Sequence, residues 1–356
     1  MFSMLSRSSE KSPAPDTTNG SSTSNRQSSE KDRAPSVDLG EPTSIPVYTI
    51  QHSYDIIPIP EPNDAEKESL AKLRAAVPDL IKDLPAEPND GRPHFDPEAW
   101  LTDDCLWRYL RARKGDLEKT KKALRKSLEW RRTYRPHAIS PDDIEEESRT
   151  GKLYLNEFDR HGRPLLYMYN HRQNTNDPVQ QIKWVVYTTE MAIRHMPPGV
   201  ERVILMIDAS QWSKSHNVAI STAREFLNIF GSHYPERLGK AIVFDPPSMF
   251  VWFFRLVSAF IDPVTKSKVA FVDSSARHDT KSHDGPWIDI DDIVPAPVRE
   301  IGCGGRWNWV YNHSVYWPIL KQEYRDFLDH KLPNTSGLVV PPQRNDESVV
   351  DTSSSS

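Results

Sequence analysis

Residues 233–272 read H-Y-P-E-R-L-G-K-A-I-V-F-D-P-P-S-M-F-V-W-F-F-R-L-V-S-A-F-I-D-P-V-T-K-S-K-V-A-F-V. The stretch divides into three. Lys240 to Phe244 is a short run rich in Ile, Val and Phe, which predicts a buried strand. Pro246 and Pro247 break it and can open a helix, because proline is tolerated in the first helical turn. Residues 248–261 then carry Met249, Phe250, Val251, Trp252, Phe253, Phe254, Leu256, Val257, Phe260 and Ile261. Asp262-Pro263 stops that helix, and Lys268 to Val272 is a further strand. A helix covering a core shows one apolar stripe and one polar face; this one is apolar nearly all round, relieved by Arg255 and two serines. It is too short for a bilayer, which needs about 20 apolar residues. Two readings remain open. One is a buried core helix. The other is a lid that lines a greasy cavity on one side and meets a membrane on the other.

The flanks of the 356-residue chain differ from this centre in composition. Residues 1–44 are mostly Ser, Thr, Pro, Gly and charge and lack the apolar content to fold. No apolar run suggests a signal peptide, and Glu10, Asp16, Glu30 and Asp32 disfavour a transit peptide. Residues 334–356 read as a similar disordered tail. Between them, 45–99 reads as a linker holding one helix, with Leu70, Leu73, Val77, Leu80 and Ile81 at helical spacing and Pro78 set to end or kink it. A net charge of −5 argues against general nucleic-acid binding. Two distant cysteines, Cys105 and Cys303, form neither a disulfide framework nor a zinc pattern, so a reducing compartment is expected.

Residues 100–145 predict a helical subdomain. Leu101 to Lys114 places Cys105, Leu106, Tyr109 and Leu110 on one face, with Thr102 or Asp103 as cap. Gly115 ends that helix, and Asp116 caps the next, from Leu117 to Tyr134. Its outer face carries Lys119, Lys121, Lys122, Arg125, Lys126, Arg131 and Arg132, which reads as a solvated helix face or as attraction to anionic lipid. Residues 150–333 alternate strands and helices, which predicts an α/β fold with a mixed, mostly parallel sheet. The strands are Lys152 to Glu157, Pro164 to Tyr169, Arg202 to Asp208 and the two above; the helices include Val179 to Met196, Ala219 to Tyr234 and Val315 to Leu332.

No catalytic motif competes. G-x-G-x-x-G, the phosphate-binding G-x-x-x-x-G-K-[ST] and G-x-S-x-G are absent, as is H-E-x-x-H. His278 and His283 read as solvated loop residues rather than metal ligands, and Asp208 as a turn cap. No metal and no cofactor is expected, and the chain is not expected to be an enzyme.

Y-P-E-R-L-G-K and D-P-V-T-K-S-K flanking a Phe-rich helix resemble the CRAL-TRIO lipid-binding domain of yeast-type phosphatidylinositol transfer proteins. L-W-R-Y-L-R-A-R-K-G-D-L-E-K-T-K-K-A-L-R-K-S-L-E-W-R-R resembles the small helical domain that precedes it, with Gly115 where the family commonly has Phe. The resemblance covers about residues 100–330. It implies a gate helix over a lipid pocket, here Met249, Phe250, Phe253, Phe254, Val257 and Phe260. It also implies a phosphatidylinositol headgroup site at Arg113, Lys114, Glu236, Thr265 and Lys268. Lysine or arginine suits the phosphodiester, and glutamate or threonine the inositol hydroxyls. Phosphatidylcholine-binding members carry hydroxyl side chains where this chain has Leu166, Val203 and Leu205. An apolar wall cannot satisfy a phosphate oxygen taken out of water, so the second ligand is expected to be a sterol or another apolar lipid.

Arg172-Gln173-Asn174-Thr175, the 233–241 stretch and Tyr311-Asn312-His313 with Tyr316-Trp317-Pro318 look like the fungal pleiotropic-drug-resistance subgroup. That resemblance implies a cytoplasmic carrier, peripheral to endoplasmic reticulum, lipid droplets or the cell periphery, which meets membrane surfaces transiently. An alternative is a sterol carrier or lipid sensor that presents phosphatidylinositol to a lipid kinase. The physical need is plain: a two-chain phospholipid exposes about 30 methylenes in water, at about 0.8 kcal/mol each, so unassisted exchange is very slow.

Overall fold

Local signals in the sequence set the order of the elements before any packing does. The computed structural model describes residues 39–211, 220–261, 263–273, 287–329 and 338–339. The readings made on 1–38, on His278 and His283, and on most of the tail lie outside these, as do the side chains of Phe253, Val257 and Phe260.

Helix α1 (Asp64–Ala75) opens with a capping box between Asn63 and Glu66. It stops at Ala76, and α2 (Val77–Ile81) follows with Pro78 in its first turn. Strand β1 (His94–Phe95) and α3 (Pro97–Trp100) lead to α4 (Asp103–Ala112), capped by Thr102, whose side chain accepts from the Cys105 amide. Asp116 caps α5 (Leu117–Tyr134) in the same way. Leu73, Leu80, Leu106, Leu110, Leu124 and Leu128 are all buried in one cluster. The helix read within the linker thus shares a core with the helices after residue 100.

After α6 (Glu145–Ser148) come β2 (Leu153–Phe158) and β3 (Pro164–Tyr169). They form a hairpin whose turn places Gly162 at φ +71° against the Tyr54 ring, where a side chain would be both strained and obstructed. Then follow α7 (Pro178–Arg194), β4 (Val203–Asp208), α8 (Ile220–His233), β5 (Leu238–Phe244), α9 (Ser248–Val257), α10 (Pro263–Ser267), β6 (Val269–Val272) and α11 (His313–Leu328). Strand β7 (Leu338–Val339) pairs antiparallel with β1. The main sheet runs β2-β3-β4-β5-β6; its first pair is antiparallel and the rest are parallel, the mixed sheet that alternating strands and helices imply. The Phe-rich helix is shorter than its apolar run, because the chain tightens into a 3₁₀ turn over Ser258–Phe260.

Register assigns the two faces of the sheet. Leu155, Leu166, Leu205, Ala241 and Val269 lie side by side across the strands, as do Leu153, Met168, Ile207, Val243 and Phe271. This face is covered by α7, α8 and α9. The alternate residues, including Tyr154, Tyr167, Met206 and Ile242, face the C-terminal segment, where the Trp309 ring lies 4.8 Å from Tyr154. On that side the buried Glu300 carboxylate accepts from the Tyr154 and Tyr169 hydroxyls at 2.7 and 2.8 Å. Burial pushes this carboxyl up to about 7 against the pull of those donors.

Candidate functional site

Three parallel strands begin at the same end of the sheet, so the residues just before them are brought together. Arg202 precedes β4, Glu236 stands two residues before β5, and Lys268 directly precedes β6. The Glu236 carboxylate lies 3.5 Å from the Arg202 guanidinium and 3.6 Å from the Lys268 ammonium. Arg202 also reaches Glu201 at 3.4 Å, and Glu201 pairs with Arg111 of α4. The result is a row of alternating charge: Arg111, Glu201, Arg202, Glu236, Lys268. The two contacts to Glu236 are long, and all three side chains are partly open to water, so each is worth at most about 1 kcal/mol. A ligand oxygen can replace either at little cost.

Thr265, in α10, accepts the Lys268 amide with its carbonyl at 3.1 Å. Arg113 and Lys114 close α4. Lys114 is exposed, in a left-handed conformation at φ 54°, and the Arg113 guanidinium donates to the neighbouring Ala112 carbonyl. Neither makes an ion pair among the described residues. Glu236, Lys268 and the Thr265 backbone therefore meet, while Arg113 and Lys114 lie beside Arg111 without a described link to Glu236. Arg202 and Glu201 escaped the sequence reading as site residues. The signal was there for Arg202, since a charged residue stands before each of the three parallel strands.

The second part of the site lies toward the other end of the strands. A cavity of about 320 Å³ opens between the sheet and two helices. Met168, Leu205 and Ile207 form its floor, Ile182, Trp184 and Val185 of α7 one wall, and Ala223, Phe226 and Leu227 of α8 the other. One rim is polar, with Lys152, Asn170, Gln173, Gln181 and Thr222. Lys152 is buried against Glu147 and donates to the Thr175 hydroxyl at 3.1 Å. Burial pulls its ammonium below the usual lysine value, and the Glu147 carboxylate opposes that pull. The Trp184 indole N–H, in the apolar wall, has no hydrogen-bond partner among the described residues.

Leu205 lines this cavity, and Leu166 stands beside it in register, with Val203 two residues back on the same face. Among the described residues, none of α9 lines the cavity. Phe250 is buried against Val243 and Phe271, and Phe254 meets Phe271 edge-on at 5.5 Å. Leu205 and Ile207, which line the cavity, pack against the same cluster. The opposite side of α9 is open: Met249 is 48 % exposed, Trp252 65 % and Leu256 46 %. That helix carries no side-chain cap at its start. Among the described residues no helix is long and apolar enough to cross a membrane, and no cluster of His, Cys, Asp and Glu could hold a metal.

Comparison with known proteins places this geometry. The CRAL/TRIO domain family matches residues 148–283, and the CRAL/TRIO N-terminal domain matches 69–126. Phosphatidylinositol transfer protein PDR17 of Saccharomyces cerevisiae is 33% identical over 297 residues, 77% of this chain and 80% of that protein. CRAL-TRIO domain-containing protein C23B6.04c of Schizosaccharomyces pombe is 39% identical over 221 residues; the match spans 62% of this chain but only 20% of that longer protein. Phosphatidylinositol transfer protein CSR1 of Eremothecium gossypii is 24% identical over 270 residues, 69% of this chain and 58% of that protein. The crystal structure of Sfh5 superposes with a TM-score of 0.48 at 17% identity, over 60% of this chain and 82% of that one.

Proposed function

The chain belongs to the CRAL/TRIO family, and from that premise we propose that it carries phosphatidylinositol between membranes. One observation carries the reading. An apolar cavity on one face of the sheet shares that sheet with a cluster of Glu236, Lys268 and Arg202 at the starts of its strands. Acyl chains suit the cavity, where each buried methylene gains about 0.8 kcal/mol over water. The cationic pair suits the phosphodiester, and the Glu236 carboxylate suits donation from inositol hydroxyls. Arg113, Lys114 and Thr265 complete the headgroup site in this proposal, with Arg113 and Lys114 reaching in from the end of α4. No bond is made or broken, so the reading needs no catalytic group and no cofactor.

Helix α9 is the gate. Its inner residues Phe250 and Phe254 rest on the sheet, Phe253, Val257 and Phe260 belong to the same apolar run, and Met249, Trp252 and Leu256 face outward to meet a lipid surface. The protein then docks on membranes only while it loads and unloads. A sterol or another single apolar lipid is the second cargo, favoured by the wall of Leu166, Val203 and Leu205, which offers no hydrogen bond. Presentation of the bound lipid to a lipid kinase is a further use compatible with the same site.

The test is transfer of labelled phosphatidylinositol between phosphatidylcholine vesicles. Glu236→Ala and Lys268→Ala should each lower the rate by about tenfold or more, the worth of one hydrogen bond to a charged group, with unfolding temperatures near wild type. Native mass spectrometry of the purified protein identifies the second cargo. Folded variants that transfer at the wild-type rate would sink the headgroup assignment, and robust phosphatidylcholine loading would sink the apolar-wall argument.

A further inference from the structure

Glu236 sits at φ 60°, in the left-handed region that non-glycine residues rarely adopt. Such a conformation persists only where the surroundings fix it. The bonds that fix it come largely from the N-terminal helices. Arg108 of α4, only 5 % exposed, donates to the Pro235 carbonyl at 2.9 Å, on the peptide directly before Glu236. The Tyr109 hydroxyl lies 3.1 Å from the His233 carbonyl and 2.8 Å from the Ser127 hydroxyl of α5. Ser127 in turn lies 3.0 Å from His233 Nδ1 and 3.2 Å from the Ser232 carbonyl. Arg111, one helical turn beyond Arg108 and so on the same side of α4, pairs with Glu201, which neighbours Arg202.

One helix face therefore touches both loops that supply the charged cluster. Arg108 holds the backbone before Glu236, and Arg111 holds the acid beside Arg202. Neither residue lines the cavity. A planar guanidinium keeps its fork in one orientation, which suits it to fixing a backbone carbonyl. From these contacts we infer that Arg108 is a positioning residue for lipid headgroup selection: it sets the conformation of Glu236 from outside the lipid-binding domain. Arg111 does the same for Arg202 through Glu201. The helical unit then acts on which headgroup is chosen, not on whether acyl chains are held.

This inference rests on the phosphatidylinositol reading, and the experiment separates the two. Full-length wild type, Arg108→Met, Arg108→Lys, Tyr109→Phe, Arg111→Gln and Glu236→Ala are loaded from vesicles holding equal phosphatidylinositol and phosphatidylglycerol. These lipids share chains and charge and differ in the inositol. Native mass spectrometry gives the loading ratio, and a fluorescent fatty acid reports the cavity. Arg108→Met should lower the phosphatidylinositol preference by about tenfold, toward that of Glu236→Ala, with fatty-acid uptake unchanged. Arg108→Lys should recover part of the preference, because one donor to Pro235 remains, and Arg111→Gln should show a smaller loss. A folded Arg108→Met with the wild-type ratio, while Glu236→Ala loses it, overturns the positioning role and leaves the lipid reading standing. If wild type itself shows no preference, the lipid reading fails. Should Arg108→Met not fold, Arg108→Lys and Tyr109→Phe decide: wild-type ratios in both overturn the inference.

Discussion

The loop from His233 to Arg237 and the helix α9 lie eleven residues apart in sequence, yet they are held in place by different forces. The loop is tied by directional bonds. Its carbonyls at 233 and 235 are met by Tyr109 and Arg108, its Tyr234 hydroxyl donates to Glu190 at 2.6 Å, and its His233 ring stacks on Trp130 at 4.3 Å. Helix α9 rests on the sheet through Phe250 and Phe254, with an uncapped start and an apolar outer side. Hydrogen bonds are short-ranged and angle-dependent, so they define one geometry. Dispersion and hydrophobic contact are non-directional and tolerate sliding. A rigid loop suits recognition of a headgroup, and a loosely directed helix suits a gate.

The largest expected effect strikes the foundation of the loop. Arg131, read from the sequence as part of the outer basic face of α5, is instead turned inward: it and Glu190, 4 % and 3 % exposed, pair at 2.8 Å beneath Tyr234, and its guanidinium also lies 4.8 Å over the Trp100 ring. Burial alone would raise the Glu190 carboxyl, but the Arg131 charge and the Tyr234 hydroxyl hold it below the usual carboxylate value. Arg131→Met removes one partner and leaves a buried charge, a loss of about 3–5 kcal/mol. Urea unfolding measures it. A loss under about 1 kcal/mol would mean that this pair is not the anchor of the loop.

Acid should affect the loop next, and in one direction. Burial pulls the His233 imidazole down to about 3, with the nearby charges of Lys126 and Arg131 adding to it. The folded value is depressed, so the unfolded chain binds the extra proton. Stability is fully present above about pH 6.5 and is lost as pH falls toward about 3, by no more than about 1.4 kcal/mol per unit from one site. His233→Gln should flatten that slope, read as the difference between variant and wild-type unfolding midpoints from pH 7 to 5. An unchanged slope would remove His233 from the account of the loop.

The contrast also decides how far the sequence could be read. Strands and capped helices came through, because the apolar runs at 203–207 and 240–244 and the caps Thr102 and Asp116 are local signals. The bond from Arg108 to Pro235 joins residues 127 positions apart, and no local pattern encodes it. The left-handed Glu236 was equally hidden, since tertiary bonds rather than propensity put it there. Arg202 is the intermediate case: visible as a charge before a strand, but paired with Glu236 only once the parallel register is known. For α9 the difficulty was different. A helix apolar nearly all round has no polar face to say which side is outward, so the exposure of Trp252 was not legible.

The smallest effect on stability should come from that outer side, and it bears most on the gate. Trp252 and Leu256 lie one turn apart on the open side of α9. A substitution at so exposed a place changes stability by only about 0.5 kcal/mol in either direction. Trp252→Ser with Leu256→Ser should therefore leave the unfolding midpoint almost unchanged. If this face meets the bilayer, the change removes a large aromatic and an aliphatic side chain from the contact, and transfer should fall by about tenfold, the equivalent of about 1.4 kcal/mol of apolar contact. Headgroup preference should stay at the wild-type ratio, because the loop is untouched. Loss of transfer with preference intact would separate gate from loop as two devices. Unchanged transfer would return α9 to a fixed core element, and loss of both would show that the two regions act as one.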